Sequence, residues 1–117
     1  MTYQRPLALL FVLSLLAPLG ALAEEQAAKD ETQNFEIVMK NREFSPLELV
    51  VPADRKIKIT VKNEDLSPIE FESVHLNREK IVQPHGKVDI FFNPLKAGTY
   101  RYHDDFNQDS KGYITVK

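Results

Sequence analysis

The chain has 117 residues, which is the size of one domain, and a formal net charge of −2 at pH 7. This mild acidity excludes the basic excess expected of a nucleic-acid-binding protein, and the length leaves no room for a multi-step enzyme with its own cofactor domain. Cysteine is absent, so the sequence excludes disulfides, thiol nucleophiles, iron–sulfur clusters and thiolate metal sites.

The amino terminus has the pattern of a secretory signal peptide. Arg5 precedes an apolar run over residues 7–16, and Ala21-Leu22-Ala23 supplies small residues at a cleavage site. The apolar run is shorter than the ~20 residues of a membrane span. We therefore predict that residues 1–23 are a cleaved signal peptide, that the protein is periplasmic, and that it does not span a membrane after cleavage.

Residues 24–34 are polar and lack apolar periodicity, so we predict a disordered leader there and a single domain over residues 35–117. Within that domain, short segments of β-branched and aromatic residues alternate with turn residues. These segments are 35–39, 47–51, 56–62, 69–73, 80–82, 88–92, 99–104 and 112–116. The pattern predicts an all-β fold, an antiparallel β-sandwich of about seven strands.

Carboxylates and imidazoles concentrate in two stretches that could meet at one end of a sandwich. They are Glu70, Glu72, His75 and Glu79, and then His103, Asp104, Asp105, Asn107 and Asp109. Oxygen and imidazole ligands suit iron or manganese, and imidazole also binds copper(II). Simpler explanations are a solvated strand face for the two glutamates, ordinary loop positions for His75 and His85, and a turn-capping role for one of the paired aspartates. No serine has a nucleophile-elbow context, so a hydrolase is not expected.

Four segments carry a resemblance to the cupredoxin-like domain, which extends over residues 35–117: 63–71, 79–86, 94–100 and 112–116. The resemblance implies a Greek-key sandwich. Cupredoxins that carry electrons hold copper with two histidines, one cysteine and usually a methionine. Here Ile69 stands at the first histidine position and Asp104 at the cysteine position, so the resemblance implies that there is no type 1 copper.

Segments 69–73, 76–80 and 93–98 resemble the small periplasmic cupredoxin-like proteins of bacterial ferrous-iron uptake systems. The element Glu70-Phe71-Glu72 is also similar to the cupredoxin domain of EfeO-type iron-uptake proteins, which implies that acidic residues take the place of copper ligands. The resemblance further implies two partners, an iron permease and a periplasmic iron-binding protein. Where that subgroup has Glu-Phe-His, this chain has Asp105-Phe106-Asn107, followed by a shorter loop.

The leading hypothesis is an iron-acquisition accessory that binds iron, or copper serving iron oxidation. Its predicted metal ligands are Glu70, Glu72, Asp104 and Asp105, together with Glu79 and His103, although strand alternation points His103 away from Asp104. A second hypothesis is a metal-free docking module with an apolar patch formed by Leu66, Leu76 and Phe106. A third is a weak copper(II) carrier that uses His75, His85 and His103. The geometry distinguishes the three hypotheses. Carboxylates that converge at one end favour iron, imidazoles that converge favour copper(II), and convergence of neither favours docking.

Overall fold

A computed structural model describes residues 2–4 and 19–117. In these residues the chain forms one helix and nine strands. In chain order they are α1 (Leu19–Asp30), β1 (Gln33–Lys40), β2 (Glu43–Ser45), β3 (Glu48–Val51), β4 (Ile57–Asn63), β5 (Ile69–Ser73), β6 (Arg78–Val82), β7 (Lys87–Phe92), β8 (Gly98–Asp104) and β9 (Asn107–Val116).

The strands form a sandwich of two sheets, with strand orders β2-β1-β4-β7 and β3-β9-β8-β5-β6. This confirms the all-β sandwich predicted from the sequence. The expectation of a wholly antiparallel arrangement is wrong, because β1 pairs with β4 in parallel and β3 pairs with β9 in parallel. After β2 the chain crosses to the other sheet to form β3 and then returns beside β1, so that β4 runs in the same direction as β1.

Three differences from the sequence prediction follow from the pairing of strands. The first strand begins at Gln33 rather than residue 35, because Gln33 pairs with Ile57 and its N–H donates to the carbonyl of Lys56 at 2.9 Å. The stretch between the predicted segments 35–39 and 47–51 contains a further strand, β2, which pairs back onto β1. The polar residues before position 112 extend β9 back to Asn107, because they pair with β8.

The segment before the sandwich is helical where we expected a disordered leader over residues 24–34. Helix α1 covers Leu19–Asp30 and contains the alanine-rich sequence LGALAEEQAAKD, and alanine has the highest helix propensity. Most of the predicted signal peptide, residues 5–18, lies outside the described residues. In the part of the chain that the structure describes, no helix is both long and apolar enough to cross a membrane.

The core lies between the sheets and follows the alternation visible in the sequence. Ile57, Ile59 and Val61 of β4 are all buried, while the lysines and threonine between them are not. The ring of Tyr102 stacks on Phe71 with centroids 4.8 Å apart and meets Phe44 edge-on at 5.0 Å. Burial raises the pKa of the Tyr102 phenol, so this side chain is neutral at physiological pH and serves as core.

Strand β5 lies inside the five-stranded sheet, between β6 and β8. Its residues Ile69, Phe71 and Ser73 are buried on the core side, so alternation directs Glu70 and Glu72 to the outer face of the sheet. Most of the carboxylates predicted as metal ligands therefore lie on the outer face of β5, β6 and β8 rather than at the end of the sandwich.

Candidate metal centre

Strand register gathers the outward carboxylates around Glu72. In the β5–β6 pair Glu72 lies directly opposite Glu79, and in the β5–β8 pair it lies opposite His103. Directly opposed residues on neighbouring strands bring their Cβ atoms to about 5 Å. Glu72 is thus flanked by a carboxylate on one side and an imidazole on the other.

Two groups of potential ligand atoms result, and Glu72 belongs to both. In the first, single donor atoms of Glu72, His103 and Asp105 all lie within 4.8 Å of one another. The His103 Nε2 atom is 3.6 Å from Glu72 Oε2 and 3.4 Å from Asp105 Oδ1. In the second, oxygens of Glu70, Glu72 and Glu79 meet the same distance limit. We call these five residues the acidic cluster.

Crowding among the carboxylates of the acidic cluster raises the pKa values of Glu70 and Glu72. A hydrogen bond with Glu79, followed by burial and the charges of nearby carboxylates, raises the pKa of Glu70 from 4.5 to about 7. Burial and the neighbouring Asp105 also raise the pKa of Glu72. Among the described residues, no lysine or arginine forms a salt bridge with any of these carboxylates. A bound cation would supply the missing positive charge.

Asp104 does not join the acidic cluster. Its side chain is 4 % exposed, and its Oδ1 atom accepts the backbone N–H of Glu70 at 2.9 Å and that of Phe106 at 3.0 Å. As strand alternation predicts, His103 points to the opposite side of β8. The structure therefore brings together five of the six predicted ligands and leaves Asp104 in a turn-capping role, the simpler explanation considered for the aspartate pair.

Comparison with known proteins identifies the family. The sequence profile of the family described as "Cupredoxin-like domain" matches residues 7–116. This chain belongs to that family. It is also 41% identical over 88 residues to the uncharacterized protein RP394 of Rickettsia prowazekii (strain Madrid E), covering 74% of this chain and 70% of that protein.

Solved structures show the same cupredoxin fold. A purple cupredoxin from Nitrosopumilus maritimus is similar with a TM-score of 0.58 and 21% identity, over 70% of this chain and 98% of that one. The metal-binding domain of the Cu(I)-exporting P-type ATPase CopA of Streptococcus pneumoniae D39 is similar with a TM-score of 0.64 and 16% identity, over 74% of this chain and 86% of that one. Auracyanin from Roseiflexus castenholzii is similar with a TM-score of 0.63 and 19% identity, over 73% of this chain and 97% of that one.

This cupredoxin-like protein does not have the residues for a type 1 copper site. Cysteine is absent from the whole chain, and the two positions matched to a histidine and the cysteine hold buried Ile69 and hydrogen-bonded Asp104. The acidic cluster instead offers one imidazole and several carboxylates, and this donor set fits a hard or borderline ion. Its residues lie on the sheet's outer face, away from Ile69 and Asp104.

The three histidines of this cupredoxin-like protein do not converge. His75 and His103 line one groove, whereas His85 lines another beside Gly86 and Lys87. The Nδ1 atom of His75 accepts the backbone N–H of Arg101 at 3.2 Å. A copper(II) site built from three imidazoles therefore has no geometric support in the described residues.

Two of the three apolar residues predicted to form a docking patch are exposed. Leu66 and Phe106 are 84% and 54% exposed and line a depression of about 620 Å³ at the loop end. Leu76 is 8% exposed and belongs to the core, because the Ser73 hydroxyl accepts its backbone N–H and holds the turn against the sheet.

Sequence reasoning missed two residues of β9 that border the acidic cluster. The Gln108 amide donates to Asp105 Oδ1 at 3.3 Å, and Lys111 pairs with His103 in the β8–β9 register. Residues 107–111 are all polar and show no alternation of apolar side chains, so the sequence did not predict a strand there. The position of Arg101 beside His103 could have been predicted from the sequence. The two residues are two positions apart in a strand, so their side chains lie on the same face.

Proposed function

We propose that this cupredoxin-like protein is a periplasmic accessory of iron acquisition and that it binds iron through the acidic cluster. The observation that carries the proposal is the central position of Glu72. A carboxylate oxygen of Glu72 lies within 4.8 Å of donor atoms of His103 and Asp105, and Glu72 also lies within that distance of carboxylate oxygens of Glu70 and Glu79. Carboxylates are hard donors and favour iron(III).

The exposure of the ligands supports a role in transfer. The side chains of Glu72, His103 and Asp105 are 27%, 29% and 40% exposed, so a bound ion remains accessible to another protein. A shallow site of this kind can release its ion more easily than a closed cage. An iron permease and a periplasmic iron-binding protein are the partners that we propose, on the resemblance described above.

Calorimetric titration of the metal-free protein with iron(II) under anaerobic conditions, and separately with copper(II), tests the proposal. We expect one-to-one binding of iron that is lost in Glu72→Gln and weakened in Asp105→Asn. The matched control is Glu43→Gln, which changes an exposed carboxylate on β2, an edge strand of the other sheet; this variant should bind as the wild type does. Copper(II) is the alternative occupant, because His103 supplies an imidazole.

A metal-free docking module is the second candidate function. It is favoured by the exposed Leu66 and Phe106 around the depression at the loop end, since exposed apolar side chains around a depression are typical of interaction sites. If the folded protein produces no heat with either ion, both metal proposals are refuted and the docking module is the function to pursue.

A further inference from the structure

A groove of about 310 Å³ adjoins the acidic cluster on the outer face of the five-stranded sheet. It is lined by Val74, His75, Arg101, Tyr102, His103, Gln108 and Lys111. We call it the basic groove, because it contains an arginine, a lysine and two imidazoles and no carboxylate. The outer face is thus divided between acidic residues centred on β5 and basic residues on β8 and β9.

In the part of the chain that the structure describes, no acidic side chain neutralises the cations of the basic groove. Within the described residues, neither Arg101 nor Lys111 has a carboxylate close enough to form a salt bridge. In the neutral His75 ring, the hydrogen bond accepted by Nδ1 assigns the proton to Nε2, which makes that nitrogen another donor. The groove therefore offers several donors and positive charges to an anion.

The basic groove and the acidic cluster are physically continuous. His103 lines the groove and also supplies the Nε2 atom of the acidic cluster. Gln108 lines the groove and donates to Asp105 Oδ1. Arg101 and His103 are alternate residues of β8, so their Cα atoms are separated by about 7 Å. That spacing is within the span of a small polycarboxylate.

We propose that the basic groove binds the carboxylate groups of a metal chelate, so that the ligand of this protein is an iron(III)–polycarboxylate complex rather than the bare ion. This inference rests on the proposed function. Glu72, His103 and Asp105 supply three donor atoms, and a six-coordinate ion keeps positions open for carboxylate oxygens of the chelator.

Charge explains why the groove is needed. A polycarboxylate complex brings negative charge, which the carboxylates of the acidic cluster repel. Arg101 and Lys111 offset that repulsion on the side where the chelator lies, and a guanidinium can hold a carboxylate through two parallel hydrogen bonds. The acidic residues contact the metal while the basic residues contact its chelator.

Binding of iron(III)–citrate, of citrate alone and of anaerobic iron(II) to the full protein tests the inference. The groove variant is Arg101→Gln/Lys111→Gln, and the cluster variant is Glu72→Gln. The control is Lys58→Gln/Lys87→Gln, which removes two positive charges from the other sheet. Circular dichroism and thermal unfolding verify that each variant is folded.

We expect the groove variant to bind iron(III)–citrate at least about tenfold more weakly than the wild type, since two charge-assisted contacts are lost. Its iron(II) affinity should stay within about threefold, and the control should retain both affinities. Equal iron(III)–citrate affinity in the groove variant and the wild type would overturn the inference. So would citrate binding that is equally tight with and without iron, because the groove would then be an independent anion site.

The proposed function fails in a different way. If the wild type does not bind iron(II), or if Glu72→Gln binds both iron(II) and iron(III)–citrate as the wild type does, the acidic cluster is not an iron site. If iron(II) binding depends on Glu72 while the groove variant behaves as the wild type, only the chelate inference is refuted.

Discussion

The carboxylate of Asp104 accepts the backbone N–H of Glu70 at 2.9 Å, across 34 residues of sequence. The backbone N–H of Asp105 donates in turn to the carbonyl of Glu70 at 2.9 Å. These two hydrogen bonds join the end of β8 to β5 and bring the Asp105 side chain beside Glu72. The residue at the position matched to the copper-binding cysteine thus positions the acidic cluster without belonging to it.

Replacing Asp104 should separate its structural role from metal binding. Asp104→Leu leaves the buried N–H of Glu70 without an acceptor, so we expect the free energy of unfolding to fall by about 1–3 kcal/mol. Asp104→Asn keeps an acceptor oxygen and should cost less. Urea denaturation measures both variants. Loss of iron binding in a fully stable Asp104→Asn protein would contradict this role and make Asp104 a ligand.

Glu70 should make the metal-free protein less stable as the pH rises. In the folded state the pKa of Glu70 is about 7, above its ordinary value of 4.5, so the folded protein holds this proton more tightly than the unfolded chain. Protonated Glu70 therefore contributes to the stability of the folded state. This contribution is complete below about pH 4.5 and is lost as the pH rises to about 7.

Glu70→Gln should remove this dependence, since the amide is neutral and can still donate to Glu79. We expect the variant to be more stable than the wild type at pH 7.5 and the difference to shrink toward pH 4.5, measured by urea denaturation with a chelator present. Glu43→Gln is the control. A constant difference between the Glu70 variant and wild type across this range would refute the assignment.

Gly112 should tolerate no side chain. It lies opposite Tyr102 in the β8–β9 pair, and a Cβ atom at this position would overlap the phenol ring. The ring cannot move away, because it packs against Phe44 and Phe71. We expect Gly112→Ala to lower the free energy of unfolding by about 1–3 kcal/mol or more.

A double-mutant cycle tests the stated cause. The Tyr102 hydroxyl has no hydrogen-bond partner among the described residues, so Tyr102→Phe should be neutral or slightly stabilising. Because this hydroxyl is the atom nearest to the added Cβ, Gly112→Ala should cost less in the Tyr102→Phe background. Additive effects of the two changes would mean that the hydroxyl contributes nothing to the cost of the overlap, which would then come from the ring carbons alone.

The turn between β1 and β2 holds Arg42 in a strained backbone conformation. Asn41 and Arg42 have φ angles of 52° and 63°, and their N–H groups donate to the two carboxylate oxygens of Asp65 at 2.7 and 2.9 Å. Asn-Gly is the preferred pair in such a two-residue turn. We expect Arg42→Gly to raise the free energy of unfolding by up to about 1 kcal/mol.

The measurement for this turn is a comparison of urea midpoints. Asn41→Gly serves as the control, because asparagine tolerates a positive φ and its replacement should bring a smaller gain. A loss of stability in Arg42→Gly would show that the arginine side chain contributes more than the backbone strain costs.

The sequence predicted the strands well wherever one face of a strand is buried. The alternation of Ile57, Ile59 and Val61 identifies β4 and its inward face without any structure. Sequence reasoning failed at β2 and at the start of β9, where exposed polar side chains leave no alternation and pairing with a neighbouring strand decides the conformation.

By itself, the amino-acid sequence determined the all-β class, the absence of type 1 copper ligands and the outward parity of Glu70 and Glu72. These properties depend on local periodicity and on which residues are present. Only the tertiary structure decided that Glu72 lies between Glu79 and His103, that the Asp104 carboxylate accepts the backbone N–H of Glu70, and that the basic groove borders the same site. Each of these depends on the register of strands far apart in sequence, and a shift of one residue would turn the side chains to the other face of the sheet.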